Sequence, residues 1–334
     1  MLTSSPGSPS DSKPANQVRV ASRDYADFDE LSESFVDFEC EYMQVGTGPV
    51  RARLSRVELG DVVLLRGSEE APQYVINSTN GENATLLLLG ASSRSTYWLG
   101  RRADERTLLS YAPGAEHAGH SRGPMNWFTV HVPPAVFERQ QAALGLEPTP
   151  IVTGPVSAHA DDVDLLRRTA AHAFDVAADP DALAAPELSH ALEQSVLTAA
   201  VQAASCPPQR AGAAMSRERA VRRALDVLAS RSREPLYLAD LCEAASVSER
   251  TLRNAFRDFY GLSPIRFLQV RRMGMVRRAL LEADPERDRV SPIAARFGFT
   301  NLGRFAVEFR RLFGVSPSQL LRASGGRRPG LIRA

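Results

Sequence analysis

Four side chains that can make paired, directional hydrogen bonds fall on one face of a single helical segment. They are Arg250, Arg253, Asn254 and Arg257, at spacings i, i+3, i+4 and i+7. A guanidinium donates two parallel hydrogen bonds to guanine O6 and N7, and a carboxamide pairs in the same bidentate way with adenine N6 and N7. On the opposite face Leu252, Phe256 and Phe259 recur at the spacing of a buried stripe. The segment Glu249 to Tyr260 follows a shorter helical stretch, Leu238 to Ala245, and the tight turn Ser246-Val247-Ser248, whose last residue is placed to cap the second helix. Cys242 falls where the two helices would cross and supplies the small side chain a crossing needs. A short helix, a turn and a second helix with a basic outer face make a helix-turn-helix unit. Outside such a unit the same residues would be solvated surface or phosphate contacts.

The arrangement repeats. Pro292 to Phe297 reads as a short helix, Gly298-Phe299-Thr300 as a turn with glycine at a positive-φ position, and Asn301 to Phe313 as a second helix with Phe305, Phe309 and Leu312 buried. Each copy closes with Gly-x-Ser-Pro, at Gly261-Leu262-Ser263-Pro264 and at Gly314-Val315-Ser316-Pro317. Between them one helix runs from Pro264 to about Glu282 and carries Arg271, Arg272, Arg277 and Arg278. The outward face of the second copy differs in kind: Gly303 and Val307 offer no side-chain hydrogen bond, though Val307 could pack on a thymine methyl. Base readout is therefore expected mostly from the first copy. The second would anchor through Arg304, Arg310 and Arg311, with Asn301 near its N-terminus. Arginines away from the reading faces, including those of the linking helix, are expected on phosphates.

The charge distribution agrees with this division. The 334 residues hold 40 Lys+Arg and 39 Asp+Glu, a net charge of +1 that on its own argues against a polyanionic partner. Residues 1–204 hold 15 basic and 27 acidic side chains, a balance of −12, and residues 205–334 hold 25 and 12, a balance of +13. An acidic body joined to a basic module is the pattern of a nucleic-acid-binding chain. Lys13 is the one lysine, so the basic charge is almost wholly arginine, which suits bidentate recognition but also follows from a base composition rich in arginine codons.

The stretch Ile293-Ala294-Ala295-Arg296-Phe297-Gly298-Phe299, with Gly303-Arg304-Phe305 and Phe309-Arg310-Arg311-Leu312-Phe313-Gly314-Val315-Ser316-Pro317, resembles the signature of the AraC/XylS family of transcription regulators. Val247-Ser248, Thr251-Leu252 and Phe256 are similar to that family's first motif, and the likeness covers about Ser216 to Arg322. Asn301-Leu302-Gly303-Arg304-Phe305-Ala306 also resembles the branch that holds ethanolamine-utilisation regulators. The resemblance implies promoter DNA as partner and activation through RNA polymerase. It further implies an N-terminal cupin-like β-barrel that binds a small-molecule effector and carries a helical dimerisation segment, making the chain a homodimer. The family commonly has serine where Gly303 stands.

The N-terminal half read by itself is mostly β from about Phe35 to Val132. Val50 to Leu54 and Asn126 to Val132 alternate with period 2, and Thr85 to Leu89 and Thr107 to Tyr111 are short runs between turn residues. This pattern predicts a β-sandwich or small barrel. Pro133-Pro134 ends the last strand before a helix, Ala135 to Leu144. Two longer helices follow, one with the stripe Val163, Leu166, Ala170, Phe174 and Ala177, the other with Leu188, Leu192, Val196, Ala199 and Ala203 behind Pro186. The stripes suit an intradomain hairpin, a dimer surface, or both.

The candidates to line an interior cavity are Arg51, Arg53, Tyr74, Trp98, Tyr111, Trp127 and His131, of which Trp127 and His131 share a strand face. The competing reading is a metal-dependent cupin-type enzyme using His117, His120 and His131 with Glu116. It lacks a closely spaced His-x-His pair, and Gly114 to His120 reads as an exposed Gly-rich loop, so no metal, cofactor or catalytic residue is expected. Cys40, Cys206 and Cys242 are scattered and odd in number, which points to a reducing compartment. No apolar run approaches the roughly 20 residues of a membrane span, and the first twenty residues lack a secretory pattern, so a cytoplasmic location is expected.

The expected architecture is thus multidomain α+β: a disordered tail at 1–17, an effector and dimerisation domain at 18–204, a linker at 205–215, an all-α domain of two helix-turn-helix motifs at 216–324, and a flexible tail at 325–334.

Overall fold

The computed structural model describes residues 19–35, 38–46, 49–79, 81–91, 93, 96–98, 101–179, 185–205, 220–221, 223–224, 226–227, 231 and 236–324. Both expected tails, the linker beyond Ser205 and most of the first twenty residues of the expected all-α domain lie outside these residues.

Alternation of apolar side chains builds two antiparallel sheets. The larger has, among the described residues, seven strands in the order β1 (Arg19–Tyr25), β3 (Ala52–Leu59), β4 (Val62–Glu69), β11 (Met125–Val132), β6 (Ala84–Leu89), β9 (Leu108–Tyr111) and β12 (Gly154–Val156). The smaller has five, ordered β2 (Phe38–Gln44), β5 (Gln73–Thr79), β10 (Glu116–Ser121), β7 (Thr96–Trp98) and β8 (Arg101–Ala103). Along each strand of the larger sheet successive side chains serve two different cores. Leu64, Leu86, Leu88, Val130 and Val132 face outward to helices, while Leu65, Leu87, Leu89 and Trp127 face inward to the smaller sheet. With both faces covered, every residue from Ala84 to Leu89 is buried, and this is why that strand reads as an unbroken apolar run.

The expected closed barrel is replaced by an open sandwich. Strands β1 and β12 are the edges of one sheet and β2 and β8 those of the other, and no ladder among the described residues joins the two. Closure would require one sheet to curl until its own edges meet. Here the larger sheet instead lays its outer face against α2 (Pro134–Ala143), α3 (Ala160–Ala177) and α4 (Pro186–Ala204). The α3 stripe is buried throughout, as is the α4 stripe from Leu192 onward, whereas Leu188 stays exposed. Most of the apolar surface of both helices is therefore buried in this domain's own core, with Leu165 and Leu188 left on the outer faces.

Two N-terminal elements lie ahead of the expected β region, β1 and the short helix α1 (Phe28–Glu33). Asp27 caps α1, accepting from the Asp29 amide at 2.7 Å.

In the C-terminal domain α5 (Leu238–Ala245), α6 (Glu249–Tyr260), α7 (Pro264–Glu282), α8 (Val290–Arg296) and α9 (Leu302–Phe313) follow the sequence closely, and α10 (Pro317–Ser324) is a further helix after the second Gly-x-Ser-Pro. Helix α7 is shared by both helix-turn-helix cores. Its N-terminal half gives Phe267, Leu268 and Val270 to the core of α5 and α6, and its C-terminal half gives Met275, Val276 and Leu280 to that of α8 and α9.

The two domains are packed together. The outer face of the smaller sheet places Met43, Tyr74 and Ala118 in one apolar cluster with Phe256, Tyr260 and Phe267. Tyr74 meets Tyr260 and Phe267 edge-on, with ring centroids 5.3 and 5.8 Å away. Beside this cluster runs a seam of charge. Arg277 pairs with Asp27 and Asp29, and Arg278 reaches Asp29 at 2.8 Å and Glu41 at 3.9 Å. The Gln44 side-chain amide donates to the Leu312 carbonyl at 2.9 Å. Arg271 is buried in α7, and Arg272 lies over the rings of Tyr237 and Phe299. The linking-helix arginines expected on phosphates are thus engaged within the chain, Arg277 and Arg278 because α7 lies against the acidic α1 and β2, and Arg272 by rings of its own domain.

Removing Asp29 leaves two guanidinium groups short of a carboxylate at a partly buried site. Asp29→Ala should lower stability by about 1–3 kcal/mol in urea unfolding, and added salt should narrow the gap between mutant and native protein. An unchanged unfolding midpoint would remove this seam from what holds the domains together.

Candidate nucleic-acid interface and ligand cavity

The first helix-turn-helix is built by local signals. Ser246 ends α5 in the left-handed conformation at φ 53°, and Ser248 caps α6 by accepting from the Thr251 amide at 3.2 Å. Gly261 ends α6 at φ 64°, a conformation that a Cβ would strain. Leu252, Ala255, Phe256 and Tyr260 are buried, while the side chain of Phe259 lies outside the described residues. This leaves Arg250, Asn254 and Arg257 exposed on the outer face. Arg253 is half-buried beside them and paired with Glu249, one turn back along the helix.

The second unit repeats this with different chemistry outside. Its turn holds Gly298 at φ 82°, and Asn301 caps α9 with its side-chain oxygen, 3.0 Å from the Arg304 amide. That oxygen is therefore directed along its own helix. Phe305, Phe309 and Leu312 are buried, and Gly303, Arg304, Val307, Arg310 and Arg311 are exposed. Arg304 is tied to Glu308 at 2.9 Å, and Glu308 in turn contacts Gln269 and Arg266 of α7. All eight residues expected at a DNA face thus fall on or at the start of the second helix of a unit, and seven of them are exposed.

Between the two sheets lies a cavity of about 30 Å³, walled by Trp98, Tyr111, Trp127 and His131 together with Phe35, Tyr42, His117 and Thr129. Four of the seven expected lining residues meet there. The other three do not. Arg51 and Arg53 are solvent-exposed, Arg53 paired with Asp24 at 2.6 Å, and Tyr74 points from the opposite face of its sheet toward α6. Tyr74 occupies a strand whose neighbour Val75 faces inward, so the period-2 rule decides its side.

Two residues that the sequence reading passed over as cavity residues matter most. His117 was expected in an exposed loop, but Glu116–Ser121 is a central strand flanked by β5 and β7, and both His117 and His120 are buried. The glycine that reads as a loop signal has a packing cause. Gly119 pairs with Trp98, and a Cβ there would come within 2.2 Å of the indole. Gly67 and Trp127 repeat the arrangement in the other sheet at 2.1 Å. Each tryptophan thereby lies flat along the sheet and forms cavity wall. His117 faces the cavity and stacks on Tyr111 at 3.8 Å, whereas His120 faces outward and stacks on Tyr97 at 4.8 Å. The three histidines of the metal reading are therefore divided between two faces, and among the described residues no group of three or more His, Cys, Asp or Glu is placed to hold a metal.

The second residue is Glu69, fully enclosed behind the cavity wall. It accepts from Trp127 Nε1 at 2.8 Å and from the Tyr42 hydroxyl at 3.1 Å. Burial pushes its carboxyl up to about 7 against the pull of these hydrogen bonds. Burial also holds the His117 imidazole down to about 3, so it stays neutral.

The fold and its exposed arginine faces define a double helix-turn-helix domain. Residues 241–323 match the family described as a helix-turn-helix domain. The C-terminal part of the chain is a domain of the AraC/XylS regulator type. The chain is 43% identical over 102 residues to the probable thc operon regulatory protein of Rhodococcus erythropolis, covering 30% of this chain and 31% of that one. It is 34% identical over 87 residues to a XylDLEGF operon transcriptional activator of Pseudomonas putida, covering 26% and 27%. The chain thus spans under a third of the length of these curated relatives. Among solved structures, a probable AraC family transcriptional regulator from Rhodopseudomonas palustris is 29% identical over 31% of this chain and 96% of its own, with a TM-score of 0.29. The AraC-like transcriptional activator CuxR is 15% identical over 79% and 94%, with a TM-score of 0.40. No described helix is long and apolar enough to cross a membrane.

The Glu69 carboxyl binds its proton more tightly folded than unfolded, so its contribution to stability is full at pH below about 4.5 and is lost as pH rises through about 7. Glu69→Gln should cancel that loss. Relative to the native protein its stability should gain about 3 kcal/mol between pH 4.5 and 8 in urea titrations. A difference that does not change with pH would show that Glu69 ionises as it does in water.

Proposed function

We propose that this chain is a cytoplasmic one-component transcription regulator, acting as a homodimer on promoter DNA and activating through RNA polymerase. The observation that carries the reading is the repeated unit α5–α6 and α8–α9, each presenting an exposed face from a helix whose opposite face is locked into a core shared with α7. Arg250, Arg253, Asn254 and Arg257 read base edges in one major groove, and Arg310 and Arg311 hold phosphates beside the next, with Arg304 and Asn301 at the start of that helix. The relatives' names, an operon regulatory protein and transcriptional activators, support the class and the sign of regulation.

A small-molecule effector bound between the sheets controls the domain. The cavity's aromatic and histidine walls support this, and so does the position of β10. His117 on that strand faces the cavity, while the adjacent Ala118 packs in the cluster that contains Tyr260 at the end of α6. One strand therefore separates the two sites. At about 30 Å³ the cavity admits a ligand only as its walls move apart, and this movement is what reaches α6. The chain is not an enzyme in this reading, and it needs no cofactor.

Selection of binding sites from randomised duplexes with the full-length protein, followed by anisotropy titrations over a range of salt, tests the reading. A preferred site and a steep fall of log affinity with log salt are expected. Arg253→Ala should lose about 1–3 kcal/mol of discrimination at one base position. Arg310→Ala should weaken all sequences alike and reduce the salt slope by about 1. Equal affinity for every duplex would refute sequence-specific regulation.

A further inference from the structure

The two recognition helices are related residue by residue, and the correspondence exposes a substitution of chemistry. The caps Ser248 and Asn301 align, as do the buried pairs Leu252 with Phe305 and Phe256 with Phe309, and the terminating Gly261 with Gly314. On the same alignment Arg250 corresponds to Gly303, and Asn254 to Val307. The positions that carry a guanidinium and a carboxamide in α6 carry a hydrogen atom and an isopropyl group in α9.

Nothing inside the chain accounts for either residue. A Cβ on Gly303 would meet only Asn301 Oδ1, at 3.7 Å, and its backbone is not in the left-handed region. Glycine is a poor helix former, so packing and backbone geometry both leave the choice without an internal cause. Val307 is 70% exposed, the highest exposure among the large apolar side chains described, and Leu302 at the start of the helix is 38% exposed. Arg304, the polar group nearest this face, is held along the helix by Glu308, which is itself fixed to Gln269 and Arg266. An exposed apolar strip is thus followed, toward the C-terminal end of α9, by the exposed basic residues Arg310 and Arg311.

We propose that α9 reads its half-site through the C5-methyl groups of thymine, with Val307 as the specificity-determining contact and Gly303 letting the helix sit deep enough in the major groove to make it. This rests on the reading of the chain as a sequence-specific DNA-binding protein. In B-DNA the thymine methyl is the apolar feature of the major-groove edge, and it is the base chemistry that a valine can distinguish. The basic pair at its C-terminal end matches the phosphates beside it. The chain would then combine hydrogen-bonded readout by α6 with methyl readout by α9.

The test uses the full-length protein and its selected duplex, with each thymine replaced singly by uracil, which removes the methyl and nothing else. In one half-site, uracil at one or two positions should weaken binding about fourfold, the worth of one buried methyl group. Val307→Ala, an exposed change toward a better helix former, should abolish that uracil penalty while leaving base preferences in the other half-site intact. Val307→Asn, restoring the residue type of α6, should move the preference at that position from thymine toward adenine. A uracil penalty that persists in Val307→Ala, or a half-site indifferent to every uracil, overturns the proposal. Failure to select any site at all would instead overturn the regulator reading on which it rests.

Discussion

The arginine–carboxylate seam between α7 and the N-terminal domain fixes where everything else in the molecule lies. Arg277 and Arg278 leave the C-terminal half of α7 toward Asp27, Asp29 and Glu41, and the apolar contact of Tyr74 with Tyr260 and Phe267 lies beside them. Because α7 supplies side chains to both helix-turn-helix cores, holding α7 holds both recognition helices at once. Asp27 serves two purposes in this seam. It caps α1 by accepting backbone amides, and it pairs with Arg277, so the position of that short helix and the docking of the second domain are one event. The opposite net charges of the two halves are, in part, the two sides of this contact. The sandwich offers carboxylates to the arginines of α7 and leaves those of α6 and α9 pointing away.

The smaller sheet is the physical connection between cavity and recognition helix. Its inner face gives Tyr42, His117 and Trp98 to the cavity, and its outer face gives Met43, Tyr74 and Ala118 to the core of the first helix-turn-helix. A β-strand sends neighbouring residues to opposite sides, so a displacement of His117 is felt at Ala118 without any longer route. The two tryptophans, one on each sheet, lie over glycines. Each indole already fills the space that a Cβ on its glycine would take, and so lies flat along its sheet as cavity wall.

What was legible in the sequence follows from the range of the interaction that decides each element. The helices from Leu238 to Phe313 were legible to within about two residues, because Ser248, Gly261 and Gly314 are local caps and the apolar stripes are periodic within one helix, whereas Asn301 was read as the first helical residue and is the cap. The division of Trp127 and His131 from Val130 and Val132 was legible for the same reason. Tyr74 was not, because its side depends on which of two sheets its strand joins, and that is fixed by pairing with distant β2 and β10. His117 and His120 were misplaced because Gly119 looks like a loop residue until Trp98 is known to lie over it. The open sandwich could not be distinguished from a barrel, since alternation reports how many faces are buried and not whether edges meet. Arg277 and Arg278 of the linking helix were assigned to phosphates because their carboxylate partners lie some 250 positions earlier in the chain.

The asymmetry between the two helix-turn-helix units then has a mechanical consequence. The core of the first contains residues of the smaller sheet, whereas the core of the second is closed by α10 through Leu321, and it contains no residue of the sandwich. A change in the sandwich therefore reaches α6 through the shared apolar cluster, and α9 through α7 and the hydrogen bond from Gln44 to the Leu312 carbonyl. The Glu308 cluster, which ties α9 to Gln269 and Arg266 in the first turn of α7, opposes any independent movement of the second unit. Helix α9 is thus tied to α7 while α6 packs on the sheet beneath it. The unit bearing arginine and asparagine on its outer face shares the broader apolar contact with the sandwich, and the unit bearing glycine and valine meets it at Leu312.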